Sequence, residues 1–336
     1  MPTCQCLLAQ YNFEAAFYGV FGSNHPELAA SYFRAVVDGV PAARRGAAAR
    51  FASRSLGNCS TNATHFNAHI SPWGFGDYDD GWEDQVGQHM HWNGAFAAML
   101  FINHWEYTRN TTFVATTAYP FLTGLLDFWS CWLTKNPAAN HGDGHEYVDW
   151  PDQCAEGQTV TNPQMALAFV PRIAEQVIEM ATALDRTPPA TAADILRHLS
   201  RPNSNATSNS SGGDDRPVVW TNFRGAQPSD SNMWALYPVW PAEHLSAATN
   251  SSELRQIARA TAREYLHFAK GRPVQTFAGA VRAGVSGSAM EPGASPVTGP
   301  QWSATDVVEG LNTFMASTWG PNLLAYTDAG GIENIG

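Results

Sequence analysis

Apolar residues recur along most of this chain at intervals of three and four. Leu122, Leu125, Leu126, Trp129 and Leu133 fall at i, i+3, i+4, i+7 and i+11, which is one face of a helix. Met165, Phe169, Ile173, Val177, Met180 and Leu184 repeat the pattern, with Pro171 inside it predicting a kink. Leu254, Ile257, Ala258, Ala262, Tyr265 and Leu266 do so again. There Asn250, Ser251 and Ser252 offer an N-cap, and Arg255, Arg259 and Arg263 are expected on the wet face. Further helices are expected over about 26–38, 88–108 and 301–317. Strand periodicity is weak, and Pro217 to Asn222 is the best stretch.

Two segments break the helical pattern. Asn203 to Asp215 reads as a polar, flexible surface insertion, and Ser286 to Pro300 is rich in Gly, Ser and Pro. Helices continue on both sides, so the chain is expected to be one domain, 1–336. A helix pair, a polar loop with aromatics, and another helix pair recur in turn. An α/α toroid is built that way, with its loops converging at one end of a central funnel.

The loop between the Leu122–Leu133 and Met165–Leu184 helices holds the densest chemistry. There is no Lys or Arg between Lys135 and Arg172, yet His141 to Glu156 carries five carboxylates. Like charges lift one another's pKa, which is useful where one acid must stay protonated near neutral pH. Trp150, Tyr147 and Cys154 lie within this stretch, so it is expected to be ordered. The bland alternative is a solvated acidic loop.

Composition narrows the class. Hydrophobic residues at 44% and charged ones at 15% describe a core-rich globular protein. A net charge of −11 argues against nucleic acid and anionic membrane as partners. The longest apolar run, Gly94 to Ile102, is too short to span a bilayer. The five cysteines (Cys4, Cys6, Cys59, Cys131, Cys154) make no disulfide framework or zinc pattern, although one or two bridges are possible. N-glycosylation sequons at Asn58, Asn62, Asn110, Asn205, Asn209 and Asn250 exceed the roughly three expected by chance. They point to a secreted or secretory-pathway protein, although the start Met1-Pro-Thr-Cys4 is no signal peptide.

Five blocks combine into a candidate site. Gln10 to Leu28 is aromatic and amide-rich; amides on a rigid element can hold a water molecule. In Gly87 to Gly94, His89 and His91 stand at i, i+2 and do not face one way on a helix, so sugar contact by Trp92 fits better than metal. His104 and Trp105 lie downstream. The acidic loop is third. Asp230 to Pro241 forms a stiff aromatic wall through Trp234 and Trp240. The tail from Ala325 to Asn334 sets Asp328 and Glu333 on either side of Gly330-Gly331. Acids in two loops with amides and Trp walls suit glycoside hydrolysis. Two carboxyls about 6.5–9.5 Å apart leave room for a water and invert the anomeric centre.

These motifs resemble the helical catalytic domain of glycoside hydrolase family 95, the inverting α-L-fucosidases. The resemblance rests on Tyr11-Asn-Phe-Glu-Ala-Ala-Phe-Tyr18, Asn24-His-Pro-Glu-Leu28, His104 to Asn110, Ala118-Tyr-Pro120 and Asp127-Phe-Trp129. It continues through Glu156 with Asn162-Pro163, Leu236 to Pro241, and Gly331-Ile-Glu-Asn334, in the family's order. It implies an all-α (α/α)6 barrel. The family sets β domains before and after the barrel, and the chain starts and stops inside that frame, so the barrel is expected to be incomplete at both ends.

The resemblance further implies that Glu156 is the general acid, its pKa raised by Asp149 and Asp152. Glu333 would be the base, where fucosidases use Asp, with Asp328 the alternative. Asn12 would hold the water, with Gln10 at the second amide position. Trp92, His104, Trp150, Asp152, Trp234 and Trp240 are expected to contact the sugar. No metal or cofactor is expected. The partner is a glycan bearing α-L-fucosyl or a related L-sugar. A catalytically inactive carbohydrate-binding remnant and another six-hairpin glycosidase are the alternatives.

Overall fold

Most of the described residues are helical, as the apolar periodicity requires. The computed structural model describes residues 7–8, 11–67, 69–70, 90–136, 146–155, 158–206, 218–228, 233–245, 251–265 and 273–284. It also describes helical positions 305, 308, 309, 312, 313 and 316, all of them exposed. The chain packs as two units, residues 1–201 and 202–335.

In the first unit, short helices α1 (Tyr11–Ala15) and α2 (Gly19–Gly22) precede α3 (Ala30–Ser53). Then come α4 (Asn93–Thr108), α5 (Thr111–Phe113), α6 (Tyr119–Trp132), α7 (Gln164–Ala183) and α8 (Ala190–His198). A single π-turn, Val114–Ala118, joins α5 to α6. The expected faces are borne out: Leu122, Leu125, Leu126, Trp129 and Leu133 are buried on α6, and Met165, Phe169, Ile173, Val177 and Met180 on α7. Helix α7 runs through buried Pro171 without a break. Two boundaries differ from expectation. The helix expected over 26–38 opens as a 3-10 turn (Pro26–Ala29) and then runs to Ser53, because the Ala- and Arg-rich stretch after Pro41 has high helix propensity without a strong apolar stripe. The helix expected from 88 begins at Asn93.

Helix α4 is the centre of this unit. Every residue from Asn93 to Ile102 is buried, the signature of a helix enclosed on all sides. It packs against α6 and α7, which also pack on each other. Rings carry the contacts: Phe96 stacks on Phe169 at 4.9 Å, and Phe101 lies 4.6 Å from Phe121 and 4.7 Å from Phe33. Two glycines let backbones close in. A Cβ on Gly94 would meet Leu125 Cδ2 at 2.7 Å, and one on Gly124 would meet Thr64 Oγ1 at 2.6 Å and the Asn62 carbonyl at 3.0 Å. A disulfide joins Cys59, in the segment after α3, to Cys131 near the end of α6, across 72 positions.

Strands are short, and among the described residues they come in antiparallel pairs. β1 (Leu7–Leu8) pairs with β2 (His69–Ile70). β3 (Thr134–Asn136) pairs with β4 (Glu146–Val148), and β5 (Asp152–Ala155) with β6 (Gln158–Val160). The acidic segment is therefore ordered where it is described, as expected. In the second unit β7 (Ser204–Ala206) pairs with β8 (Val218–Trp220). The strand expected near 217–222 is present, while the start of the insertion at 203–215 is strand rather than free loop.

In that unit α9 (Ser252–Tyr265) and α10 (Pro273–Arg282) pack on each other, and α9 also packs on β8. Ser251 Oγ accepts from the Leu254 N–H at 3.2 Å, which is the expected cap. Ala258 and Ala262 of α9 bury against Trp220, Leu236 and Val239. Arg255, Arg259 and Arg263 are half-buried rather than fully wet, and Arg259 donates to the Ala283 carbonyl at 3.3 Å. Among the described residues no helix is long and apolar enough to cross a membrane.

Two substitutions test this packing. Gly124→Ala is expected to lower stability by about 1–3 kcal/mol in urea unfolding, since backbone as well as side chain opposes the new methyl. Replacing Cys131 by Ser is expected to cost about 2–4 kcal/mol, the usual effect of freeing a long loop in the unfolded chain.

Candidate active site

The acidic segment bends between β4 and β5, at Asp149-Trp150-Pro151. Asn162, whose φ of 51° is left-handed, closes this turn from behind. Its Oδ1 accepts from the Asp149 N–H at 2.7 Å, and its own N–H donates to the Asp149 carbonyl at 2.9 Å. Asn tolerates this backbone region better than most residues, which suits the position. The Asn162 Nδ2 donates to Ser200 Oγ at 2.8 Å. Ser200 also hydrogen-bonds the buried Glu146 carboxylate, and Tyr147 OH donates to Asp194 Oδ2 at 2.6 Å. The turn is thereby tied to the end of α8.

Its other side is tied to α4 and α6. Asp152 Oδ1 accepts from the His91 N–H at 2.9 Å and from the Gln153 N–H at 2.6 Å. Trp92 Nε1 donates to the Gln153 carbonyl at 2.7 Å. Trp132, the last residue of α6, donates from Nε1 to Asp149 Oδ1 at 3.1 Å. The His91 ring lies 4.2 Å from the Trp132 ring, and its Nδ1 is 2.8 Å from His65 Nε2. Arg54 covers the outer face of Trp132 at 4.2 Å.

Asp149 and Asp152 are both 0% exposed. Burial pushes the Asp149 carboxyl up to about 6, against the pull of Asp152, Trp132 and Arg54. Burial lifts Asp152 well above the usual carboxylate range, and the Asp149 charge lifts it further. Neither Asp149 Oδ2 nor Asp152 Oδ2 has a hydrogen-bond partner among the described residues, which disfavours the charged form of each. Trp150, by contrast, stands 47% exposed at the tip of the turn. The arrangement is a pair of buried acids whose charged forms are disfavoured, with an aromatic face outside them.

The other expected site residues divide. Trp92 and Asp152 come together here, but Trp92 is only 5% exposed and its N–H is committed to Gln153, so it is a packed anchor stacked toward Phe169 rather than an open sugar wall. The expected raising of Glu156 by Asp149 and Asp152 falls on a residue outside the described ones. His104 lies near the far end of α4, about 18 Å along the axis from Trp92 at 1.5 Å per residue. It packs against Phe113 at 4.0 Å and Phe33 at 5.4 Å, so it belongs to an aromatic cluster away from the acidic turn. In the second unit Trp240 is buried in its own surroundings at 7% exposure, and Trp234 is half-buried. Asn12 lies in α1. Gln10, Glu156, Asp328 and Glu333 lie outside the described residues.

Three roles were not read from sequence, although His91 and Asn162 were named there. His65 and His91 form a buried pair; nothing in their spacing marks it. Asn162 is the staple of the turn; its neighbour Pro163 is the only local hint. Glu14, two positions after Asn12, is 0% exposed and raised well above its ordinary pKa by burial, with Tyr32 OH 3.3 Å from its Oε1. An acid set among Tyr11, Phe13, Ala15, Ala16 and Phe17 was a legible signal for it.

The carboxyl pair makes stability pH-dependent. An acid whose folded pKa is raised binds more protons folded than unfolded, so its contribution falls as pH rises from the unfolded value near 3.8 through the folded one at about 6. Asp149→Asn keeps an oxygen for Trp132 and removes the titrating group. Relative to the parent, this variant is expected to gain stability between pH 4.5 and pH 7.5; an unchanged stability difference at the two pH values in urea unfolding would remove the raised Asp149 carboxyl from the account.

Comparison with known proteins agrees with this chemistry. The family model described as the glycosyl hydrolase family 95 catalytic domain matches residues 8–267, a span that includes the whole acidic turn. No curated protein sequence matches the chain. By its family match over most of its length, its helical build and its carboxyl-bearing turn, the chain belongs to glycoside hydrolase family 95 and is a glycosidase-type catalytic domain acting on glycans.

Proposed function

We propose that this domain removes α-L-fucosyl, or a closely related L-sugar, from the ends of glycans with inversion. The observation that carries the proposal is the turn at Asp149–Asp152. A doubly fastened support with an exposed Trp150 leads into β5, whose last residue, Ala155, precedes Glu156 in the chain. Glycosidic cleavage needs an acid placed to tenths of an ångström on the leaving oxygen, and a fastened segment beside it favours such placement.

In this reading Glu156 protonates the leaving oxygen, and Asp149 and Asp152 are positioning residues, since groups wholly out of contact with solvent are not placed to touch a sugar. Trp150 supplies an apolar face for the ring. Glu333, or Asp328 beside it, takes the proton from a water held by Asn12 with help from Gln10. The inverting outcome follows from water attacking the face opposite the departing oxygen. The disulfide Cys59–Cys131 and the six sequons support a secretory route for the protein.

Incubation with 2′-fucosyllactose, followed by proton NMR, tests this reading. Early release of β-fucose is the expected result; α-fucose as first product would overturn inversion, and no release from folded protein would overturn the substrate. Glu156→Gln is expected to lose most turnover on this substrate, by about 10²-fold or more, while retaining cleavage of a fucosyl fluoride, whose leaving group needs no proton. Equal losses on both substrates would move the proton donor elsewhere.

A further inference from the structure

Six sequons are written in the sequence, but the fold treats them differently. Asn205 is half-buried in β7. Its Oδ1 accepts from the Ala206 N–H at 2.8 Å, and its Nδ2 is turned onto the Ala226 carbonyl at 3.5 Å and Gln227 Oε1 at 3.4 Å. Asn62 is exposed, but its partner Thr64 is buried with its hydroxyl donating to the Asn62 carbonyl at 3.0 Å. Asn58 is exposed beside the bridging Cys59, with a left-handed φ of 61°. Asn209 and Asn250 lie outside the described residues.

Asn110 is different. It sits in the tight joint between α4 and α5, just after Arg109, whose left-handed φ of 52° ends α4. Asn110, Thr111 and Thr112 are all exposed. The side-chain amide has a fixed orientation: Oδ1 caps α5 by accepting from the Phe113 N–H at 3.0 Å. That leaves Nδ2 as the end of the amide with no part in the cap. Capping and attachment therefore use different atoms, and a sugar on Nδ2 leaves the Oδ1 bond in place.

We propose that Asn110 is an N-glycan attachment site that takes an oligosaccharide from a lipid-diphosphate donor. Nδ2 forms a bond to the anomeric carbon of the donor sugar and gives up one proton. The bond from that carbon to the diphosphate oxygen breaks, and its electron pair leaves on the lipid diphosphate. No oxidant or reductant enters. The site rests on the reading that the chain travels the secretory route, and the Cys59–Cys131 bridge fits the same oxidising compartment.

The test is to express the full chain behind a cleavable signal sequence in a eukaryotic host, so that the compartment is supplied and only the site is in question. The secreted protein is treated with peptide-N-glycosidase in heavy-oxygen water, and the Asn110 peptide is read by mass spectrometry. Recovery of that peptide as heavy-oxygen aspartate is the expected result; recovery only as unmodified asparagine overturns the site. Two variants separate the glycan from the cap. Asn110→Asp keeps a capping oxygen and Thr112→Ala keeps Asn110 itself, yet both are expected to lose the mass of one glycan. Either variant migrating with the full mass of the parent would equally overturn it.

Discussion

Asp149 and Asp152 lie wholly out of water, each held by donors from other parts of the unit, and the acidic segment is fastened by that fact. Two ionised carboxylates in such a place would each carry a desolvation penalty of several kcal/mol and repel each other as well. Both carboxyls are accordingly raised in pKa, so the charged forms are disfavoured. What charge is left meets donors already in place: the Trp132 indole, two backbone N–H groups at His91 and Gln153, and the field of Arg54. Each donor belongs to a different part of the unit, so satisfying the carboxyls also fastens the turn to α4 and α6. Asn162 does the same toward α7 and α8 without any charge.

This fastening works because α4 is itself immobile. A helix buried on every side for ten residues has no wet face along which to slide, and its N-terminal neighbours His91 and Trp92 inherit that rigidity. Stacked rings between α4 and its neighbours are each worth about 0.5–1.5 kcal/mol beyond the area they bury. Gly94 and Gly124 remove the side chains that would hold the backbones apart. The bridge from Cys59 to Cys131 then links the segment beside Thr64 to α6 close to Trp132. Core, bridge and carboxyl pair thus meet at the end of α6, and Trp150 projects from the turn they support.

Much of the helical layout was legible from spacing alone. The stripes on α6, α7 and α9 are interior faces, and the Ser251 cap is where a polar residue before a stripe would place it. Boundaries were less legible. The α3 helix continues past Pro41 because alanine and arginine favour helix without announcing a face, and α4 starts late because His91 and Trp92 are drawn off to the acidic turn. The five carboxylates marked where chemistry concentrates, but not that Glu146, Asp149 and Asp152 are interior.

The sequence by itself determined the helical class, the faces that turn inward, and the segment in which the acids gather. Those follow from local periodicity and composition, which act over a few residues. Only the tertiary structure decided the roles of individual side chains. Trp92 and Trp150 are both tryptophans in polar surroundings along the chain, yet one is an anchor and the other an exposed face. His104 lies in α4 and His91 just before it, yet one sits in a phenylalanine cluster and the other beside the acidic turn. Asp149 and Asp152 differ from their acidic neighbours only in what surrounds them. Exposure, partner and proton affinity are set by atoms distant in sequence, so no local pattern could assign them.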